Sequence, residues 1–183
     1  MRIIAGKHKS RLIHSPKGVN LRPTSDRVKE SLFGILGGFI IGKYALDLFS
    51  GTGNLGIEAL SRGARSCVFV DNNPRCVTAI KKNLDSLGIK NNTEVALKDV
   101  FKYLNEANAK GVKFDLIFLD PPYYGTLVKK SLILLDDYIY QTGLISHPLK
   151  LIEGFNKIIT IDYFCCCNNN MFSRIYFCYK SKC

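Results

Sequence analysis

The chain has 183 residues, 46% of them apolar, and a formal net charge of +11, which fits one globular domain and excludes a disordered chain. No apolar run approaches the ~18 residues of a membrane span, and the apolar stretch before Lys7 is too short for a secretion signal, so we expect a cytoplasmic protein without a membrane partner. The excess positive charge favours a polyanionic partner, with a solvated surface or an acidic-lipid contact as the alternatives.

The first 30 residues carry much of this charge. Eight lysines and arginines lie among them, against two acids. Residues 3–5 and 12–13 are apolar and flank a break at Gly6, which predicts a short basic hairpin or arm. Such an arm favours nucleic acid as the partner. The candidate contacts are Arg2, Lys7, Lys9, Arg11, Arg22 and Arg27.

A helix is expected directly after the arm. Apolar side chains recur at helical spacing over residues 28–39, which predicts a helix with one buried stripe. Residues 24–26 offer capping side chains, and the Gly37-Gly38 pair ends the pattern. The stripe consists of Val28, Leu32, Ile35, Leu36 and Phe39.

Strand-like and helix-like segments alternate over the next hundred residues. The predicted strands are 44–49, 66–70, 93–97 and 114–119, and helices follow through 57–61, at 74–87, near 101–107 and at 127–135. This alternation, with nearly continuous apolar strands, is typical of a mostly parallel sheet covered by helices on both faces. We therefore predict a single α/β domain over residues 1–183, with a basic arm at 1–24 and an α/β core at 25–183.

The C-terminal segment is less regular. Residues 143–145 are a short strand candidate, and residues 157–164 and 174–179 are consistent with a terminal antiparallel hairpin on the sheet edge. Five of the seven cysteines lie in the last 19 residues, without the paired Cys-x-x-Cys or histidine spacing of a zinc site. We therefore expect free thiols and no metal.

The turn after the first predicted strand is rich in glycine. Gly51, Gly53 and Gly56 match the dinucleotide pattern G-x-G-x-x-G, and Asp71 lies 20 residues after Gly51. Sites for NAD and for S-adenosylmethionine both use a glycine turn here, with a carboxylate on the second strand that holds ribose hydroxyls. The pattern alone therefore leaves both cofactors open.

The negative charge of Asp47 distinguishes between NAD and S-adenosylmethionine. A dinucleotide places its pyrophosphate at the N-terminus of the following helix, where an aspartate at the mouth of the loop would repel it. S-adenosylmethionine carries an ammonium and a sulfonium instead, and both favour a nearby anion. Asp47 therefore favours S-adenosylmethionine. Asp99 is placed either to accept from the adenine amino group or to cap a helix, and Asn72 either supports Asp71 or turns the chain.

The most specific motif is Asp120-Pro121-Pro122-Tyr123, directly after a predicted buried strand. It therefore lies at the carboxyl edge of the sheet, where α/β sheets bind ligands. A turn without ligand would also suit Asp and Pro, but the glycine loop upstream favours a site.

The four side chains suit methylation of an exocyclic base amine, a poor nucleophile because its lone pair is delocalised into the ring. Asp120 and a backbone carbonyl of the Pro121-Pro122 turn can accept hydrogen bonds from the amine and so localise and direct that lone pair. The prolines lack N–H donors and fix φ, which holds the carbonyl rigidly. Tyr123 offers a flat face on which an unstacked base can lie.

Taken together, these motifs resemble one known family, the bacterial RsmD-type 16S rRNA (guanine-N2)-methyltransferases. The likeness is carried by Met-Arg-Ile-Ile-Ala-Gly-Lys at 1–7, Arg-Pro-Thr-Ser-Asp-Arg-Val-Lys-Glu-Ser-Leu-Phe at 22–33, the glycine loop running on to Gly63, and the strand that ends in Asp-Pro-Pro-Tyr. It covers roughly residues 1–145. After Gly143 the sequence departs from the family pattern, because Ser146-His147-Pro148 interrupts the expected fifth strand.

This resemblance implies a Rossmann-like class I methyltransferase sheet of seven strands. It also implies S-adenosylmethionine as cofactor and 16S rRNA or the assembling small ribosomal subunit as partner. We expect a monomer. Asp47, Gly51, Gly53, Asp71 and Asp99 would line the donor pocket, with residues 120–123 at the target base and the basic arm on RNA.

Three alternatives stay open at this point. An adenine-N6 DNA methyltransferase would use Asp-Pro-Pro-Tyr equally well, although such enzymes usually carry an added target-recognition domain. A non-catalytic RNA-binding assembly factor would keep the fold without the activity. A nicotinamide oxidoreductase would explain the glycine loop alone.

Overall fold

A computed structural model describes residues 1–16, 18, 19, 21, 24–121 and 130, together with the backbone of 158–162 and 174–178. The helices are α1 (Asp26–Leu36), α2 (Asn54–Ser61), α3 (Pro74–Leu87) and α4 (Val100–Ala109), with a 3-10 turn at Gly37–Ile40. The strands are β1 (Tyr44–Leu48), β2 (Ser66–Asp71), β3 (Thr93–Leu97), β4 (Leu116–Leu119), β5 (Ile158–Asp162) and β6 (Arg174–Cys178).

The strands form one sheet in the order β3-β2-β1-β4-β6-β5. Strands β1 to β4 pair in parallel, which confirms the predicted alternation of strands and parallel crossovers. The chain runs outward from β1 through β2 to β3 and then returns to the other side of β1 as β4. Strand β1 is therefore the point where the winding reverses, and ligands of such sheets bind beside this point at the carboxyl edge.

The described residues form six strands, whereas the family resemblance implies seven. Strand β6 pairs in parallel with β4, and β5 pairs antiparallel with β6. The strand candidate at 143–145, the helix at 127–135 and the connection from 163 to 173 lie outside the described residues, apart from Lys130. The seventh strand therefore stays a prediction.

Two apolar clusters lie on opposite faces of the sheet, as the alternation predicts. Along β1, Ala45 packs into one cluster, whereas Leu46 and Leu48 pack into the other. The first face is covered by α1, α2, α3 and the arm, and the second by α4. Ile3 and Ile13 of the arm are buried in the first cluster. The apolar residues of the arm thus join the main core.

Helix α1 is present, but its buried stripe differs from the predicted one. Its buried residues are Lys29, Phe33 and Leu36, whereas Ile35 is 52% exposed. The helix ends at Gly37, whose φ of +47° breaks the pattern, so Phe39 lies in the 3-10 turn. Leu36 is buried and Leu32 and Phe39 pack against the same core cluster, so the predicted stripe is right at these positions and wrong at Ile35. The apolar pattern does not include Lys29, which an ionic network buries.

Among the described residues, no helix is both long and apolar enough to cross a membrane. Cys67 and Cys76 are buried free thiols. The C-terminal cysteine side chains lie outside the described residues.

Candidate active site

Three aspartates lie on one face of the sheet at its carboxyl edge. Side chains alternate between faces along a strand, so each aspartate shares the face of the apolar residue two positions before it. Those residues are Ala45, Phe69 and Phe118, and all three belong to the first core cluster. The aspartates two positions later are Asp47, Asp71 and Asp120. The alternation therefore directs three carboxylates to the same face at the carboxyl edge of the sheet.

The glycine loop connects β1 to α2 through a turn fixed by Ser50. The Ser50 hydroxyl donates to the Asp47 carbonyl at 2.5 Å and accepts from the Val70 N–H at 2.9 Å, and the Gly53 N–H donates to the Ser50 carbonyl at 2.7 Å. Gly51 and Gly53 adopt φ values of +56° and +76°, which favour glycine. The loop thus holds its backbone in a defined curve beside the aspartates.

Gly56 allows α2 to approach β2 closely. A Cβ atom at this position would lie 2.3 Å from Cε1 of Phe69 and 2.7 Å from Sγ of Cys67. These contacts are far below van der Waals distance, and the Phe69 ring is fully buried. The third glycine of the motif is therefore a packing requirement of the helix on the sheet.

We expect Gly56→Ala to lower the free energy of unfolding by about 1–3 kcal/mol, because the added methyl group overpacks the core. Urea denaturation measures this change. Gly34→Ala is the matched control, since nothing lies within 4 Å of a Cβ built at this helical glycine. It should be neutral or stabilise by up to about 1 kcal/mol. Equal effects of the two substitutions would contradict the packing role of Gly56.

Asp47 is a buried carboxyl with an unusual electrostatic environment. It is 2% exposed, and its Oδ2 accepts from the Gly56 N–H at 2.9 Å. Burial raises the pKa of Asp47 well above its ordinary value, the Gly56 hydrogen bond lowers it, and the neighbouring charges of Asp120 and Asp71 raise it further. Within the described ranges no lysine or arginine forms an ion pair with Asp47 or Asp71. A cationic ligand fits this cluster of carboxyls, and a pyrophosphate does not.

Asp71 orders the backbone at the carboxyl edge of the sheet, both after β1 and after β2. Its Oδ2 accepts from the Gly51 N–H and its Oδ1 from the Asn73 N–H, each at 2.8 Å. Burial raises the pKa of Asp71, and these two hydrogen bonds lower it. Each carboxylate oxygen has a second lone pair, so Asp71 retains the capacity to accept from a ligand hydroxyl.

Asn73, rather than Asn72, supports Asp71 in the structure. The Asn73 side chain also caps α3 by accepting from the Arg75 N–H at 2.9 Å. Asn72 is exposed beside it. Asn73 is not among the residues predicted for the site, although an Asn directly before Pro74 is a helix-capping signal.

Asp99 caps α4. Its Oδ1 accepts from the Phe101 and Lys102 N–H groups at 3.0 and 3.1 Å. The capping alternative is therefore realised. A contact between Asp99 and an adenine ring stays a prediction.

The motif after β4 begins where the sequence predicts, with Asp120 next to buried Leu119 and Pro121. Asp120 Oδ2 accepts from the Thr24 hydroxyl at 2.8 Å. Thr24 is 9% exposed and lies 96 residues earlier in the chain. Pro122 and Tyr123 lie outside the described residues, so their expected roles stay predictions.

The arm forms a hairpin through an antiparallel bridge between Arg2 and Leu12. Arg2, Lys7, Lys9, Arg11 and Arg27 are all exposed, as expected of candidate nucleic-acid contacts. Arg2 pairs with Asp26 at 3.4 Å, and Nη2 of Arg11 donates to the Ser86 carbonyl at 3.0 Å. Arg22 lies outside the described residues.

The backbone of the arm is bonded to the core at several points. Glu58 accepts from the Ile4 N–H at 2.8 Å and from the Ala5 N–H at 3.0 Å. The Asn83 side chain accepts from the His14 N–H at 2.9 Å and donates to the His14 carbonyl at 3.0 Å. The core thus fixes both strands of the hairpin, and the basic side chains of the hairpin face outward.

A buried ionic network lies between the arm, α1 and α2. Nζ of Lys29, a fully buried side chain, lies 2.6 Å from the Arg2 carbonyl, 2.8 Å from Oδ1 of Asn54 and 3.5 Å from Oε2 of Glu58. Arg62 pairs with the other oxygen of Glu58 at 2.8 Å. Burial lowers the pKa of Lys29, and the charge of Glu58 opposes that effect. No local sequence pattern indicates this network, because Lys29 lies 25 to 29 residues from Arg2, Asn54 and Glu58.

The comparisons with known proteins agree with this geometry. The model of the family described as conserved hypothetical protein 95 matches residues 1–147. YlbH of Bacillus subtilis is 42% identical over 138 residues, which are 75% of each chain. The Ribosomal RNA small subunit methyltransferase D of Escherichia coli is 35% identical over 137 residues, covering 75% of this chain and 67% of that protein.

Solved structures lead to the same conclusion. The structure of the Escherichia coli protein yhhF is 36% identical with a TM-score of 0.67, and it covers 75% of this chain and 73% of that one. Structures that share the fold include S-adenosylmethionine-dependent methyltransferases. The chain therefore belongs to the conserved hypothetical protein 95 family, that of the RsmD-type, S-adenosylmethionine-dependent methyltransferases.

Proposed function

We propose that this protein transfers a methyl group from S-adenosylmethionine to the exocyclic N2 amine of one guanine in 16S rRNA. One observation carries the proposal: Asp120-Pro121 follows β4 on the same face of the sheet as Asp47 and the glycine loop. An acceptor motif and a cation-binding cluster thus lie at one edge. The E. coli relative, named as a ribosomal RNA small subunit methyltransferase, supports the choice of substrate.

In this proposal the donor pocket lies between the glycine loop and the ends of β2 and β3. When bound, S-adenosylmethionine supplies an electrophilic methyl group on a positively charged sulfur. Asp47 balances the positive charge, and Asp71 accepts from the ribose hydroxyls. Asn72 and Asp99 line the adenosine side. The residues that hold the donor are Asp47, Gly51, Gly53, Asp71, Asn72 and Asp99.

The acceptor side is formed by residues 120–123. Asp120 accepts a hydrogen bond from the guanine N2 amine and, with a carbonyl of the Pro121-Pro122 turn, directs the nitrogen lone pair. Tyr123 stacks on the guanine after this base has left its stack in the RNA. Alignment supplies most of the acceleration, because orientation effects reach about 7–11 kcal/mol in favourable cases.

The basic arm is the proposed RNA contact of a single domain. Its exposed cations surround a hairpin that is fixed to the core, so bound RNA would be held at a defined position relative to Asp120. Arg2, Lys7, Lys9, Arg11, Arg22 and Arg27 neutralise phosphates of free 16S rRNA or of the assembling small subunit. We propose that the protein acts as a monomer in the cytoplasm.

Mass mapping of modified bases in 16S rRNA, with and without the gene, tests the proposal. We expect one N2-methylguanine to disappear in the deletion strain and to return when the gene is restored. An unchanged guanine together with a lost N6-methyladenine in DNA would support the DNA methyltransferase instead. No change in either nucleic acid would contradict methyl transfer to both.

Donor binding is expected to release protons in the pH range in which Asp47 and Asp71 ionise. A cation next to Asp47 and Asp71 lowers their raised pKa values, so donor affinity rises with pH through the range in which these carboxyls ionise. Calorimetry in buffers of different ionisation enthalpy measures the released protons.

Asp47→Asn is the matched variant, since it keeps an acceptor for the Gly56 N–H and removes the charge. It should release fewer protons and bind the donor more weakly. NAD should not bind to the unmodified protein. Proton uptake on donor binding, or tight NAD binding, would overturn the assignment of the pocket.

RNA binding is expected to depend on exposed cations of the arm. Replacing Lys7 and Lys9 by alanine should reduce the slope of log affinity against log salt concentration by ~0.7–0.9 per lost phosphate contact. Donor affinity should not change. The charge-matched control replaces Lys110 and Lys113, which are exposed at and just after the C-terminus of α4, the helix that packs on the other face of the sheet. Equal slopes for both double variants would show that the arm does not contact phosphate.

A further inference from the structure

Thr24 occupies an unusual position for a residue ahead of a helix. Its hydroxyl donates to Asp120 Oδ2 at 2.8 Å, across 96 residues of sequence. The side chain that caps α1 belongs to Ser25, which accepts from the Val28 N–H. The Thr24 hydroxyl is therefore directed at the catalytic motif rather than at its own helix.

Two further side chains hold Thr24 in place. Nδ2 of Asn54 donates to the Thr24 carbonyl at 3.3 Å, and Oδ1 of Asn54 accepts from Nζ of Lys29 at 2.8 Å. Lys29 in turn donates to the Arg2 carbonyl at 2.6 Å. Four hydrogen bonds thus connect the backbone of the arm to the Asp120 carboxylate through side chains that are at most 9% exposed.

A donor in this position has two physical effects on Asp120. It opposes rotation of the carboxylate, so that the acceptor lone pairs point in a defined direction. It also favours the ionised form, because a hydroxyl donor bonds more strongly to a carboxylate than to a carboxylic acid. Both effects matter for a group that must accept a hydrogen bond from a weakly nucleophilic amine.

We propose that Thr24 is a positioning residue that orients Asp120 and keeps it ionised for methyl transfer. This role rests on the proposed function, because it assigns the acceptor side of the reaction to Asp120. Thr24 acts through Asp120 and not directly on the donor or the base. The Lys29–Asn54 pair anchors the Thr24 backbone, so the arm and the acceptor carboxylate share one rigid support.

Single-turnover methylation of 16S rRNA at saturating donor tests the role of Thr24. Thr24→Val keeps the shape and removes the hydroxyl, and we expect a rate loss of about ten- to a hundredfold with donor affinity unchanged. The acidic limb of the rate profile should move to higher pH, because the carboxylate has lost a donor. Thr24→Ser restores the hydroxyl and should recover most of the rate. Thr93→Val, at the far end of β3, should behave like the unmodified protein.

A double-substitution cycle separates positioning from folding. In the Asp120→Ala background, Thr24→Val should cause little further loss, because the group through which Thr24 acts is absent. Fully additive losses, or a Thr24→Val rate equal to that of the unmodified protein, would overturn the proposal.

An NMR titration of the 13C-labelled Asp120 carboxyl group provides a test that needs no activity. Its midpoint should lie at higher pH in Thr24→Val than in the unmodified protein or in Thr24→Ser. An unchanged midpoint would overturn the role of Thr24 even in an active enzyme. An inactive unmodified protein with the expected shift would contradict the proposed function and leave the Thr24–Asp120 interaction supported.

Discussion

Asp120→Ala is expected to lower the single-turnover rate of methyl transfer by about ten- to a hundredfold. A lost hydrogen bond to a charged acceptor costs about 1.5–3 kcal/mol, which corresponds to this range, and misalignment of the amine would add to it. Donor binding should survive, because Ser50 and Asp71 hold the glycine loop.

The comparison variant for this test is Asp85→Ala. Asp85 is an exposed acid on α3 that forms a surface ion pair with Lys90. Its replacement changes the net charge by the same amount and should leave the rate within about twofold, since such pairs contribute little. Calorimetry and thermal unfolding verify that both variants bind donor and fold. A normal rate for Asp120→Ala would refute the mechanism.

Glu58→Gln is expected to destabilise the protein by about 3–5 kcal/mol, the usual result of removing one partner of a buried ion pair. Glu58 is fully buried and accepts from the Ile4 and Ala5 N–H groups, Lys29 and Arg62. Glutamine has nearly the same shape but no charge, and only one of its two end atoms accepts. Lys29 then keeps its positive charge without its buried carboxylate partner.

Urea denaturation measures the loss, and limited proteolysis should show faster cleavage within residues 1–14, because the arm loses a docking point. Glu30→Gln, on the exposed side of α1, should change stability by less than about 0.5 kcal/mol. The double variant Lys29→Met with Glu58→Leu should lose less than the sum of the two single changes. Strict additivity would show that the two charges do not interact.

The Asp120 and Glu58 substitutions distinguish the rate of methyl transfer from the stability of the fold. Asp120 should affect the rate without affecting stability, and Glu58 should affect stability first and RNA binding through the arm. The Thr24 hydrogen bond joins the two regions. A loosened arm is therefore expected to slow methyl transfer even when RNA concentration is saturating.

Local patterns in the sequence determined the sheet and the edge where the site lies. The apolar runs of β1 to β4 and the helices between them follow from alternating burial, and Gly51, Gly53 and Asp71 mark the loop by their spacing. The shared face of the three aspartates also follows from two-residue alternation. These features depend on residues close in sequence, so periodicity and turn chemistry reveal them.

Tertiary structure alone decided how the site is held. The bond from Asp71 to Gly51, the docking of the arm on Glu58 and Asn83, and the Thr24–Asp120 hydrogen bond join residues that lie 20 to 96 positions apart. Lys29 occupies a core position because Glu58 and Asn54 meet it there, which no helical pattern predicts. A polar side chain is buried only where distant partners satisfy it, and the identity of those partners is fixed by the packed fold and not by neighbouring residues.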